Sequence, residues 1–99
     1  MRFEPTWLVT ATFAVDAGRT REPHRAAHLD HVRVLLADGT ALVAGARADL
    51  GASVLVLRAS DAVAARTLVE HDPYWQHRVW TAIEVIEYLA ATPQSLGRS

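Results

Sequence analysis

The spacing of the apolar residues changes along this chain, and the order of the changes restricts the fold more than any other feature. Apolar and β-branched residues alternate over residues 6–15, 40–48, 53–58 and 79–89, as they do in strands. Between the first and second of these segments, and between the third and fourth, apolar residues recur at helical spacing. The predicted order is β-α-β-β-α-β. This order is typical of the ferredoxin-like α+β fold, a four-stranded antiparallel sheet with two helices on one face.

The first helix is predicted to start near Glu22, because Pro23 is tolerated only in the first turn of a helix. It should run to Ala37 and stop at the turn residues 38–39. Helical spacing predicts one core-facing stripe, with His28 on its flank. The stripe consists of Arg25, Leu29, Val32 and Leu36.

The second helix is predicted to begin with Ser60 as its N-cap and to end at Asp72, since the residue before Pro73 is restricted to extended geometry. Its buried stripe should consist of Ala65, Leu68 and Val69. Asp72 continues this stripe at the spacing of a further turn. A carboxylate at such a position is costly unless it has a partner, so Asp72 is a candidate functional residue.

The last two strands carry apolar side chains on both faces. One face of the fourth strand should present Trp80, Ile86 and Tyr88. Two helices can cover only one face of a sheet, so the other face would be exposed unless a partner covered it. We therefore expect a homodimer in which two sheets pack face to face, a dimeric α+β barrel, with these three residues in the interface.

Composition limits the class of protein and its partners. The 99 residues are enough for one domain, which we place at residues 1–91, followed by a flexible C-terminal tail at residues 92–99. The formal charge of −1 argues against nucleic acid as a partner. No membrane span or signal sequence is evident, and cysteine is absent. The expected location is the cytoplasm.

Three short stretches resemble the YCII (YciI-like) family. They are Arg25-Ala-Ala-His28-Leu29, Ala44-Gly45-Ala46 and Asp72-Pro73-Tyr74, and the resemblance extends from about Trp7 to Tyr88. The Asp-Pro-Tyr stretch after a helix is the most distinctive, and Ala46 departs from the proline that is frequent in the family. The resemblance implies a dimeric α+β barrel with an active-site pair of His28 and Asp72. One enzyme related to the family dehydrochlorinates a chlorinated hydroxyquinol.

The residue types of this pair suit proton transfer. A neutral imidazole can accept or donate a proton near physiological pH, and a carboxylate on one ring nitrogen orients the ring. The alternative is a structural hydrogen bond that only joins the two helices. Arg25, Gly45 and Tyr74 are the candidate substrate-binding residues: Arg25 for an anionic group, Gly45 because glycine within a strand permits close approach, and Tyr74 for stacking.

Other clusters of side chains have a functional and a structural interpretation. His24, His28 and His31 share a helical sector, which suits either a metal site or a solvated helix flank. We expect no tightly bound metal, because these side chains diverge. Trp7, Tyr74 and Trp75 could stack on a flat ligand or belong to the core or an interface. No phosphate-binding loop or nucleophile elbow is present, and we expect no cofactor.

Together these features predict proton-transfer chemistry of the lyase, dehydrohalogenase or isomerase type on a small aromatic or enolisable substrate. In this hypothesis His28 is the general base or acid and Asp72 orients it. The alternative is a non-catalytic module that binds a small ligand or only dimerises. Access of a ligand to His28 distinguishes the two, because a His28 sealed under side chains would favour the alternative.

Overall fold

The structure, a computed structural model, describes residues 2–97, which form a four-stranded antiparallel sheet with helices packed on one face. The strands are β1 (Glu4–Phe13), β2 (Ala41–Ala46), β3 (Ala52–Leu57) and β4 (Trp80–Ala90). Their order across the sheet is β2-β3-β1-β4, and each neighbouring pair is antiparallel. This is the ferredoxin-like α+β arrangement that the order of apolar periods predicts.

The helices are α1 (Ala17–Thr20), α2 (Arg25–Ala37), α3 (Ala62–Glu70), α4 (Pro73–Gln76) and α5 (Pro93–Leu96), with a 3₁₀ turn at Glu22–His24. Leu35 of α2 and Val69 of α3 share one core with Val9 and Leu57 of the sheet. Each such aliphatic side chain contributes about 1.5–3 kcal/mol when fully buried. Within residues 2–97, no helix has both the length and the apolar character that crossing a membrane requires.

Helix α2 turns a different stripe toward the sheet from the one predicted. Leu35 is buried, whereas Leu29 and Leu36 are 40% and 43% exposed. His28 lies two helical turns before Leu35, so it belongs to the inward-facing stripe and not to its flank. The prediction that Leu29 and Leu36 face the core is wrong. The polar and aromatic partners of His28, which the sequence of the helix does not reveal, make its inward position favourable.

Trp80 lies on the helix-covered side of the sheet. The β1–β4 register shifts at the end of β1, where Thr12 pairs with Ala82 and Phe13 pairs with Trp80. The extra residue of β4 forms a β-bulge, and a shift of one residue moves a side chain to the opposite face. Trp80 is therefore 1% exposed within the core. The prediction that Trp80 lies on the outer face is wrong, because simple alternation does not include the bulge.

The outer face of the sheet does expose apolar side chains. Ile86 and Tyr88 are 47% and 44% exposed, and Val43 of the edge strand is 56% exposed. Strand register places Leu8 and Val54 on the same face. We refer to these five residues as the outer apolar patch. The homodimer that this face suggests stays a prediction.

The ends of α3 differ from those predicted. Asp61, not Ser60, is the N-cap, and its carboxylate accepts a hydrogen bond of 2.8 Å from the Ala64 amide. The helix ends at Glu70, two residues before Asp72. Asp72 therefore does not continue α3. It has extended backbone geometry, as expected before a proline, and caps the next helix, α4.

The C-terminal segment packs against the start of β1. Thr92 is buried, caps α5, and donates a 3.2 Å hydrogen bond from its hydroxyl to Glu4. Glu4 also accepts two hydrogen bonds from the guanidinium of Arg58, which follows β3. The predicted flexibility of residues 92–99 and the domain limit at residue 91 stay predictions, and residues 98–99 lie outside the described residues.

Candidate active site

His28 and Asp72, which are 44 residues apart in the sequence, contact each other directly. His28 Nδ1 lies 2.9 Å from Asp72 Oδ1 and 2.8 Å from Oδ2. The Asp72 side chain is only 1% exposed, and that of His28 is 13% exposed. A buried carboxylate needs hydrogen-bond donors, and the imidazole supplies one of them. Both residues thus occupy positions that would be costly without the other.

The local backbone fixes the position of Asp72. Its Oδ1 accepts a 2.8 Å hydrogen bond from the Tyr74 amide, as the N-cap of α4, and Pro73 occupies the first turn of that helix. The carboxylate therefore receives donors from its own helix and from α2. This sequence, Asp-Pro-Tyr, builds a rigid support for the His28 ring.

The hydrogen bond also determines which nitrogen of His28 is free. An ionised carboxylate only accepts hydrogen bonds, so Nδ1 carries a proton, and in the neutral imidazole Nε2 then keeps its lone pair. Within residues 2–97, no residue forms a hydrogen bond to Nε2. Nε2 is not sealed either, because the buried side-chain polar atoms without partners in this range are Thr20 Oγ1 and Arg21 Nε. The lone pair of Nε2 is therefore accessible.

Two aromatic rings hold the imidazole in place. Tyr74 stacks on His28 with ring centroids 3.8 Å apart and planes 5° from parallel. Trp80 meets His28 edge-on, at 5.4 Å and 89°. Trp80 in turn donates a 3.2 Å hydrogen bond from its indole to the Ser53 hydroxyl. These contacts leave His28 little rotational freedom, which favours a fixed direction for Nε2.

A cleft of about 370 Å³ lies between α2 and the β2–β3 side of the sheet, and His28 lines it. This volume is within the usual range of sites for small molecules. The wall consists of Phe13, Arg21, Arg25, His28, Leu29, Val32, Ala44, Gly45, Ala46, Leu50, Ser53, Leu55, Tyr74 and Trp80. Most of these side chains are apolar, and the charged side chains are two arginines.

The structure brings together the site residues that the sequence predicts. Arg25, Gly45 and Tyr74 all line the cleft with His28. Asp72 does not line the cleft. It lies behind His28 and contacts Nδ1, whereas the accessible nitrogen of the ring is Nε2. The catalytic and substrate-binding roles predicted for these five residues stay predictions.

Phe13, Trp80 and Arg21 are among the cleft residues that the sequence does not predict. Simple alternation puts Trp80 on the opposite face because it does not include the bulge, and no sequence feature links Phe13 to the site. Arg21 lies four residues before Arg25 and outside the predicted helix, so helical spacing does not link it to the site.

The electrostatics of the cleft are most visible at Tyr74. Burial raises the pKa of the Tyr74 phenol, while the positive charges of Arg21 and Arg25 act to lower that pKa. Asp72 and Glu22 act in the same direction as burial. Tyr74 therefore stays protonated and able to donate a hydrogen bond, and both arginines are close enough to influence its hydroxyl.

The three histidines considered as a metal face have separate partners. His24 stacks on His77, with ring centroids 3.8 Å apart. His28 contacts Asp72. His31 Nε2 lies 3.0 Å from the carbonyl oxygen of Leu68. Among residues 2–97, no group of three or more potential ligands is arranged to hold a metal ion.

The other predicted stacking residues lie outside the cleft. Trp7 packs against the core and donates a 3.1 Å hydrogen bond to the Ala59 carbonyl oxygen. The guanidinium carbon of Arg66 lies over Trp75, 5.5 Å from the centroid of the Trp75 ring. Of the three aromatics considered for ligand stacking, only Tyr74 lines the cleft beside His28.

Comparisons with known proteins agree with this fold. Residues 6–89 match the family described as the YCII-related domain. Among solved structures, 5-chloro-2-hydroxyhydroquinone dehydrochlorinase from Burkholderia phenoliruptrix AC1100, in complex with 2,5-dihydroxybenzoquinone, is similar with a TM-score of 0.72 and 21% identity. The similarity covers 84% of this chain and 92% of that chain. No curated protein matches the sequence.

Proposed function

This chain belongs to the YCII-related domain family, and we propose that it catalyses proton transfer on a small enolisable ring compound, as a lyase, dehydrohalogenase or isomerase. His28 is the general base or acid of this proposal. Asp72 orients His28, while Arg25, Gly45 and Tyr74 contact the substrate.

One observation carries the proposal most strongly. His28 Nε2 has no partner among residues 2–97 and is accessible beside a cleft of about 370 Å³. Its Nδ1 is held by the carboxylate of Asp72, whose side chain is only 1% exposed. A histidine that served only to join α2 to α4 would not need an accessible second nitrogen. An oriented imidazole with a free lone pair supports a role as general base.

The proposed step follows from these positions. Nε2 accepts a proton from a hydroxyl group or an acidic carbon of the substrate, and Asp72 stabilises the imidazolium that forms. In a dehydrohalogenation, the electron pair of the broken O–H or C–H bond forms a new double bond. The carbon–halogen bond then breaks, and the halide leaves with its bonding electrons. In an isomerisation, the imidazolium returns the proton to a different atom. Neither route requires an oxidant or reductant.

The similar dehydrochlorinase supports the substrate class. Its name specifies a chlorinated hydroxyhydroquinone, and its complex contains a dihydroxybenzoquinone, which is a flat and enolisable ring. The cleft of this chain has the rings of Phe13, Tyr74 and Trp80 in its wall, which suits a flat ligand. We therefore place hydroquinols and cyclic diketones, with and without a halogen, first among the compounds to test.

Deuterium exchange into such compounds, followed by proton NMR in D₂O together with chloride release, tests the proposal. We expect His28→Gln to slow the reaction by roughly 100-fold or more, because it removes the general base. Asp72→Asn should slow it roughly 10-fold or more, because the amide does not stabilise the imidazolium as a carboxylate does. His71→Gln is the matched control, since His71 adjoins Asp72 in sequence but is exposed outside the cleft.

Equal rates for wild type and His28→Gln would contradict the proposal. If no compound reacts but ring compounds bind and shift the NMR signals of His28, the chain is a small-ligand-binding module. If neither reaction nor binding occurs, a module that only dimerises remains.

A further inference from the structure

We infer that Arg21 and Arg25 form an anion-binding corner of the cleft, and that the natural ligand carries a carboxylate. This inference relies on the proposed function only for the location of the ligand. Arg21 is the new element, since the motif that points to Arg25 and His28 does not include it.

The arginines of the cleft differ from most others in residues 2–97. Ion pairs with carboxylates are formed by Arg19, Arg33, Arg47, Arg58 and Arg66. Arg21 and Arg25, the two that line the cleft, form no salt bridge with any carboxylate in this range. Two guanidinium groups without ion pairs in the wall of one cleft create a local excess of positive charge.

Arg21 also has unsatisfied donors. Its Nε is buried and has no hydrogen-bond partner in residues 2–97, although buried donors usually have one. Its terminal guanidinium nitrogens also lack partners in this range but are not sealed, so an acceptor in the cleft can reach them. A guanidinium group presents its N–H donors in a planar fork, which matches the two oxygens of a carboxylate.

Tyr74 adds a third donor to the same corner. Arg21, Arg25 and Tyr74 line the same cleft, and both arginines act to lower the pKa of the phenol against the larger effect of burial. The hydroxyl has no hydrogen-bond partner and is not sealed among the described residues. Glu22 also acts on this phenol, but it forms no salt bridge with either arginine.

The rest of the cleft favours an aromatic or similarly apolar carboxylate. Away from the arginines, its wall is mainly apolar and includes Phe13, Leu29, Val32, Leu55 and Trp80. Ser53 already uses its hydroxyl as an acceptor for Trp80. One charged corner in an apolar cleft of about 370 Å³ suits a ring with a single carboxylate.

Binding of 4-hydroxybenzoate, phenol and inorganic phosphate to the full chain tests this inference. Dissociation constants follow from NMR titration of the Trp80 indole signal. We expect 4-hydroxybenzoate to bind wild type more tightly than phenol or phosphate. Arg21→Gln and Arg25→Gln should each weaken the binding of 4-hydroxybenzoate by roughly tenfold. The dissociation constant of phenol should change by less than about twofold, because only the carboxylate needs the guanidinium group. Arg33→Gln, an exposed arginine of α2, should leave both constants unchanged.

Several results would overturn the inference. Wild type could bind 4-hydroxybenzoate no more tightly than phenol, or could bind phosphate more tightly than 4-hydroxybenzoate. Both variants could also lose affinity for phenol and for 4-hydroxybenzoate by the same factor. Asp72→Asn separates this inference from the proposed function. If 4-hydroxybenzoate still binds to Asp72→Asn, and neither wild type nor any variant transfers protons, only the proposed catalysis is refuted. The anion-binding corner then stands.

Discussion

Single side chains of this protein occupy positions that depend on one partner far away in the sequence. Glu4 at the start of β1 is an example, because Arg58 and Thr92 both donate hydrogen bonds to its carboxylate. The hydrogen bond from Arg58 is the largest cause that lowers the pKa of Glu4 below its ordinary value of 4.5, and burial opposes it. The same ion pair joins the first strand to the third.

This pair predicts a dependence of stability on pH. A carboxylate whose pKa is lower in the folded state stabilises the fold above its unfolded pKa, and this stabilisation disappears as pH falls through the folded pKa. Wild type should therefore exceed Glu4→Gln in free energy of unfolding by about 0.5–1 kcal/mol near neutral pH, since the pair is partly exposed. The difference should shrink below about pH 4.5. Urea denaturation across this range measures it, and a difference that grows on acidification would contradict the prediction.

At the scale of elements, α4 exists because of its N-cap and its first residue. A four-residue helix has few hydrogen bonds of its own, so the Asp72 cap and Pro73 decide its geometry. Asp72→Ala removes the cap and leaves His28 without a partner, and should lower the free energy of unfolding by roughly 2–3 kcal/mol. Asp72→Asn should cost less, because asparagine caps equally well.

Asp61→Ala, which removes only the cap of α3, is the matched comparison and should cost about 1 kcal/mol. Urea denaturation monitored by circular dichroism gives all three values. If Asp72→Ala and Asp61→Ala are equally costly, the His28–Asp72 contact contributes nothing to stability beyond the cap.

The elements also show what the sequence can and cannot specify. Periodicity predicted the order of the four strands and two main helices along the chain and the buried stripe of α3, because both depend on local spacing. It failed for Trp80, since the β-bulge arises from pairing between β1 and β4. It failed for the face of α2, since Leu35 and His28 turn inward to meet residues of other elements. The contact of His28 with Asp72 was predicted from their positions and the family resemblance, whereas the participation of Arg21 was not.

For the whole molecule, the outer apolar patch is the feature that a single chain leaves unexplained. Its members Val43, Ile86 and Tyr88 remain 44–56% exposed, although the opposite face of the same sheet is covered by helices. Apolar surface of this kind marks interaction sites in soluble proteins. A second copy would cover it with the same patch about a two-fold axis, since such an interface is self-complementary.

We expect the protein to be a homodimer at micromolar concentration, with Ile86 and Tyr88 in the interface and Trp80 outside it. Ile86→Arg places a charge within the outer apolar patch, and burying an unpaired charge in each half of the interface is costly. Sedimentation equilibrium should then show a dimer for wild type and a monomer for Ile86→Arg. Val63→Arg is the matched control, because Val63 is an exposed apolar residue on α3 and should leave the dimer intact. A monomeric wild type, or a dimer disrupted by Val63→Arg and not by Ile86→Arg, would place the interface elsewhere or remove it.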